Sequence, residues 1–223
     1  TDVMVHLGTL LAILIYFCRD VFNLAKGTLL LFKGQVTPDG RLALYIAIAT
    51  IPAVAFGLFL ESVDMPDVER NVTVVALNTI LYGLLMLVAD SLRPQTKTMG
   101  EMTLWGALFI GVAQALALIP GTSRSGITMT AGRFLGFNRP DCARFSFLLG
   151  IPATAGAIIL TVGDAIGSGE GVTKDALFAA ALTFVAGLAA IAFLMGVLRR
   201  ISLLPFVIYR MVLGGFLLVM LYA

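Results

Sequence analysis

Between two strongly apolar stretches the chain carries Pro120-Gly121-Thr122-Ser123-Arg124-Ser125-Gly126. One guanidinium stands among short hydroxyls, with glycines on both sides. A guanidinium is a planar fork of donors that matches two oxygens of a phosphate. Ser123, Ser125 and Thr128 add hydroxyl donors, and Gly121 and Gly126 permit a tight backbone. From 117 to 131 there is no Asp, Glu or His. Such a set binds an anion, best a phosphate, and has no general base of its own. The bland alternative is a turn in which Arg124 caps neighbouring carbonyls, but an ionisable residue at membrane depth is functional by default. Arg210, inside the last apolar run, is a second cation. It could help neutralise a diphosphate, or pair with a carboxylate such as Asp90.

The elements that position these groups are helices in a bilayer. The chain has 223 residues, of which 59% are hydrophobic and 13% charged. Its mean hydropathy is +0.99. That composition gives an all-α, polytopic membrane protein forming one transmembrane domain over 1–223. No basic patch interleaved with aromatics supports nucleic-acid binding. Cys18 and Cys142 sit far apart in apolar segments and read as two buried thiols, with no disulfide framework and no zinc site. Apolar runs predict helices near 3–19, 42–60, 73–90, 103–119, 127–136, 141–162, 175–197 and 203–222. Most approach the ~20 residues that cross ~30 Å of hydrocarbon, whereas 127–136 reaches about half that depth.

Positive charge chooses the topology. If 103–137 is a re-entrant hairpin, one face collects Arg19, Lys26, Lys33, Arg41, Arg93, Lys97, Arg133, Arg139, Arg144, Arg199 and Arg200. The other face keeps Arg70 and Lys174. If the two arms cross separately, the bias nearly vanishes. The expected architecture is therefore six spans and one hairpin entered from the cytoplasm. The 127–136 helix then starts at the tip, aiming its free N–H groups and positive dipole end into the membrane. Three spans on either side of the hairpin suggest an inverted-topology repeat, a plan shared by many transporters. A faint echo between the segments starting at Asp2 and Asp141 supports it.

Other polar residues have plainer readings. His6 is the single histidine and reads as a satisfied helix-start residue. Gln114 could bond the tip or simply join helices. Glu61 and Asp90 sit at span ends and read as interfacial. The loop is not a Walker-type phosphate loop, since no Lys-Ser/Thr follows the glycine. Ser123-Arg124 is similar to an element of type-2 phosphatidic acid phosphatases, but Thr130 stands where that family has a histidine.

The run from Pro120 to Met129, followed by Phe145-Ser-Phe-Leu-Leu-Gly-Ile-Pro152, resembles the bacterial undecaprenyl-diphosphate phosphatase, or bacitracin-resistance, family. Val5-His6-Leu7-Gly8-Thr9, Ile51-Pro52-Ala53 and the stretch Arg200 to Arg210 fit it in order and spacing. The resemblance implies a multi-pass enzyme of the bacterial plasma membrane that removes the terminal phosphate of undecaprenyl diphosphate. That reaction recycles the lipid carrier of peptidoglycan synthesis. Arg124 and Ser123 are then the catalytic residues, and Ser125, Gly126, Thr128 and Arg210 line the substrate. The resemblance also implies a divalent metal ion, Mg or Ca, whose ligands are not in this chain. It further implies an upstream motif with two glutamates and a Ser-Ser-Thr-Gly-His run, absent here. The polypeptide as given is therefore expected to lack part of the active site and to be inactive, while the full-length protein is active. Expected partners are the polyprenyl diphosphate and membrane lipids, with a homodimer left open. The rival reading is a flippase for a phosphorylated polyprenyl lipid, which would need the same socket but no base.

Overall fold

The computed structural model describes residues 2–63, 71–92, 94–167 and 174–222, and these are overwhelmingly helical. The helices are α1 (Asp2–Tyr16), α2 (Cys18–Phe32), α3 (Pro38–Val63), α4 (Val72–Leu92), α5 (Leu104–Leu116), α6 (Arg124–Phe134), α7 (Arg139–Gly167), α8 (Lys174–Leu198) and α9 (Leu204–Tyr222). A single 3-10 turn, Met99–Glu101, precedes α5. Short polar side chains set the starts. Thr37 Oγ1 accepts from Gly40 N at 3.1 Å, Asn71 Oδ1 from Thr73 N at 3.0 Å, and Thr103 Oγ1 from Gly106 N at 3.1 Å. Each satisfies an N–H that the helix itself cannot. Among the described residues five helices, α3, α4, α7, α8 and α9, are long and apolar enough to cross a membrane, or six spans if α1 and α2 count as one broken span. This is a polytopic membrane protein.

The first expected span, 3–19, ends early. The chain turns by 83° between α1 and α2. Phe17, 5% exposed, sits at the corner with its ring 4.8 Å from Tyr16 and 5.7 Å from Phe147. The segment after it, read from sequence as a connection carrying scattered cations, is the helix α2. Arg19, Lys26 and Asn23 dilute its average apolarity, so a search for uniformly apolar windows passes over it. The helix stops at Gly34, whose φ of +77° allows the left-handed closure. Cys18, expected to be buried, is exposed at the start of α2.

The backbone forms two compact units. The first holds residues up to Leu44 together with Phe147–Val197. There α1 runs beside α8, because a Cβ on Gly8 would strike the Ala180 carbonyl and one on Gly187 would come within 3.0 Å of Ala12. Helix α2 is pressed onto the start of α3, where Gly27 leaves room for Gly40 and Asp39. The second unit holds Tyr45–Ser146 and Leu198–Ala223. At its centre α4 packs against α9 and α6, while α5 packs antiparallel to α6. Pro52 inside α3 and Pro152 inside α7 interrupt neither helix.

The α5–α6 pair is a hairpin closed at its base. Lys97 N donates to the Gly136 carbonyl at 3.1 Å, and Asn138 N donates to the Lys97 carbonyl at 2.9 Å. The chain thus arrives and departs at one end. Arms of 13 and 11 residues reach only ~20 and ~17 Å at 1.5 Å per residue, short of the ~30 Å hydrocarbon. Helix α6 starts three residues earlier than the 127–136 expected from apolarity. Arg124, Ser125 and Gly126 therefore form its first turn rather than a loop.

Candidate active site

The tip of the hairpin is built by its neighbours. Gly121 has φ +85° and lies so close to α4 that a Cβ would meet the Val75 carbonyl. Asn78 Nδ2 donates to the Pro120 carbonyl at 2.9 Å, and Thr79 Oγ1 reaches the Gly121 carbonyl at 3.3 Å. Arg210, 8% exposed, donates through Nη2 to the Gly121 carbonyl at 2.8 Å and through Nε to the Thr79 carbonyl at 3.1 Å. Irregular backbone at membrane depth persists only where protein groups satisfy it, and these three side chains do so.

Ser123 follows with φ 69° and ψ 112°, the one non-glycine residue at positive φ among the described residues. Its hydroxyl oxygen accepts from Gly126 N at 3.4 Å, making it the N-cap of α6. A bulky Cβ at 126 would crowd that hydroxyl at 3.1 Å, which accounts for Gly126. Strained backbone of this kind is retained where a particular presentation of the chain matters. Ser123 is exposed, and Arg124 and Ser125 are half-exposed. The first intrahelical bond after the cap is Ile127 N to the Ser123 carbonyl, at 3.0 Å. Arg124 and Ser125 occupy the first turn of the helix that Ser123 caps. A permanent cation, a positive dipole end and short donors thus belong to one helix start.

The other two expected substrate contacts bond protein groups around the tip. Thr128 is 2% exposed; its hydroxyl lies 2.9 Å from the Arg124 carbonyl and 2.7 Å from Ser146 Oγ. It braces the first turn of α6 against α7. Arg210 meets backbone carbonyls of the tip instead of Asp90, so its position supports the tip. Helical spacing explains the first outcome: Thr128 is four residues beyond Arg124, where a hydroxyl bonds the preceding carbonyl.

Asp90 is not a solvated span end. Its side chain is 6% exposed and accepts from Arg133 Nε at 3.0 Å and Arg139 Nε at 2.7 Å. Arg139 Nη2 adds a bond at 2.9 Å, and Leu203 N another at 3.0 Å. Arg133 is 0% exposed and also donates to the Phe137 and Asp90 carbonyls. One carboxylate thus ties α4, the far end of α6, the start of α7 and the start of α9. Beside it, Asp141 accepts from Met99 N at 2.9 Å and Asn138 Nδ2 at 3.0 Å. At the adjoining turn, the Thr98 N–H and hydroxyl hold the Glu101 carboxyl below its ordinary value. Asn78, Thr79, Ser146 and the role of Asp90 escape sequence reasoning. The available signal is cost: a polar group inside an apolar span has to find a partner.

Gln114 is 2% exposed in the last turns of α5, and neither its amide oxygen nor its nitrogen has a hydrogen-bond partner. The Thr122 hydroxyl, 0% exposed, is equally unpaired. Among the described residues no group of three or more His, Cys, Asp or Glu is placed to hold a metal ion. The donors at the tip are cations, N–H groups and hydroxyls, which attract anions and do not fit a metal ion.

The family model described as bacitracin resistance protein BacA matches residues 1–216. Among curated relatives named undecaprenyl-diphosphatase, one from Erythrobacter litoralis is 44% identical, covering 97% of this chain and 84% of its own length. One from Jannaschia sp. is 42% identical over 100% of this chain and 84% of its own length. One from Chromohalobacter salexigens is 46% identical over 98% of this chain and 83% of its own length. Matched over nearly its whole length, this chain belongs to the bacitracin resistance protein BacA family.

Proposed function

We propose that the protein is an undecaprenyl-diphosphate phosphatase, hydrolysing its lipid substrate to undecaprenyl phosphate and inorganic phosphate. The carrying observation is the capped start of α6 at a hairpin tip, with Ser123, Arg124 and Ser125 accessible together. Family membership supports the reading. A diphosphate on a polyprenyl chain needs positive charge within reach of an apolar surface, which suits the start of α6 in a protein of apolar helices.

Arg124 grips the terminal phosphoryl oxygens and offsets the charge that redistributes as the P–O bond breaks. The α6 N–H groups and the Ser125 hydroxyl add oriented donors. Ser123, held by its strained backbone, presents its hydroxyl at the same phosphoryl group. Gly126 keeps that cap free of a Cβ. Arg210 and Thr128 act by fixing the tip. The protein works as a multi-pass component of the bacterial plasma membrane, where it returns the lipid carrier to peptidoglycan synthesis and thereby opposes bacitracin.

The test is phosphate release from farnesyl and undecaprenyl diphosphate by the full-length protein and its Arg124→Ala and Arg124→Lys variants. Arg124→Ala should lose about 100-fold or more in turnover with helicity retained, as when one oriented charge-stabilising donor is removed. Lys should rescue poorly, because a point charge does not replace a fork. Undiminished release by the Ala variant would remove Arg124 from the mechanism. Transport of the intact diphosphate without phosphate release would favour the flippase reading instead.

A further inference from the structure

We propose that α2 is an interfacial helix that binds the headgroup layer of an anionic phospholipid leaflet, a role separate from the phosphatase site. Its sequence divides into arcs. At 3.6 residues per turn, Phe22, Leu29 and Phe32 fall within about 80° of one another. Arg19, Lys26 and Lys33, each seven residues apart, form a row immediately beside them. The opposite side carries Gly27, which is buried against Gly40 at the start of α3.

Among the described residues the apolar arc is left largely uncovered. Phe22 is 69% exposed, Leu29 65% and Phe32 86%. Among the described residues no salt bridge holds Arg19, Lys26 or Lys33. Large exposed aromatic and aliphatic side chains in one stripe mark a surface that something else covers.

Geometry identifies the cover. Helix α1 runs beside α8, a 25-residue helix long and apolar enough to span the membrane. Helix α2 leaves α1 at 83°, and so lies along the membrane surface. Its apolar arc then enters the acyl boundary, while the basic row lays its aliphatic stems on that arc and raises its charges among the headgroups. A second copy docking α2 on α2 by two-fold symmetry would bring two rows of like charge together. Anionic lipid satisfies the apolar arc and the basic row at once, and each basic residue favours it about fivefold.

The test uses the full chain in vesicles of phosphatidylglycerol and phosphatidylcholine. Trp105, the single tryptophan, is replaced by Phe, and Leu29→Trp supplies the reporter. The expected result is quenching by brominated lipid, little quenching by aqueous iodide, and stronger quenching when phosphatidylglycerol carries the bromine. Lys26→Gln with Lys33→Gln should lower that headgroup preference by about fivefold per charge removed while bromine quenching persists. Strong iodide quenching would overturn the proposal. So would equal quenching by the two headgroups, or loss of lipid quenching as the protein-to-lipid ratio rises, which would point to a second copy on this face.

Discussion

Replacing Asp90 with Ala would remove the carboxylate that joins four segments at the base of the hairpin. Arg133 would then be left at 0% exposure without its anion, while Arg139, with 19% of its side chain exposed, could still reach water. Removing one partner of a buried ion pair costs about 3–5 kcal/mol, because the remaining charge is desolvated and uncompensated. Arg133 retains its bonds to the Phe137 and Asp90 carbonyls, so the lower part of that range, about 3–4 kcal/mol, applies. Arg133→Met alone strands Asp90 less, since Arg139 still pairs with it through two bonds. In the double variant no unpaired charge stays buried, and the combined loss should fall about 2 kcal/mol short of the sum. Equilibrium unfolding in mixed micelles, followed by far-ultraviolet circular dichroism, would measure all three. Under conditions where Asp90→Ala remains folded, phosphate release should also drop, because α6 carries Arg124 and a shift of about 1 Å can cost 100-fold. A loss below about 1 kcal/mol, or strict additivity in the double variant, would refute the role assigned to the network.

Gly121→Ala should destabilise the tip and abolish turnover, since the residue sits at φ +85° with Val75 Cα only 2.8 Å from the added methyl; thermal melts and phosphate release on one preparation would check both. Gln114→Leu removes an amide with no partner, so the fold should gain about 1 kcal/mol or stay unchanged; a simultaneous fall in turnover would show that substrate or solvent uses the amide, and unchanged turnover would make Gln114 purely structural. Cysteines placed at Lys97 and Arg199 in a Cys18→Ser background should both react with a membrane-impermeant maleimide from the cytoplasmic face. Labelling of position 97 from outside would overturn the hairpin orientation.

The hairpin was legible because its two signals are local. A polar septet between apolar runs, and an arm too short to cross, both follow from composition over about ten residues. The closing bonds between Lys97 and the 136–138 segment bring the outer ends of the two arms together. Apolar runs also located the long helices, to within a few residues at most ends. Misjudged positions share a cause. Arg133 counts as a cytoplasmic charge in the topology, yet it is wholly buried on Asp90, 43 positions away. Helix α2 needed its angular pattern read, because its charges mask a stripe that only periodicity reveals.

The amino-acid sequence by itself determined that this is a helical membrane protein with a guanidinium in a Ser-Arg-Ser turn between apolar segments, because burying apolar surface and housing a guanidinium are demands each residue makes alone. Only the tertiary structure decided what meets those demands. It gave Arg210 and Asn78 to the tip carbonyls, Thr128 to Ser146, and Asp90 to Arg133, Arg139 and Leu203. Hydrogen bonds and ion pairs act only over a few ångströms. Which groups come that close depends on how helices distant in sequence pack, and no stretch of the chain records that by itself.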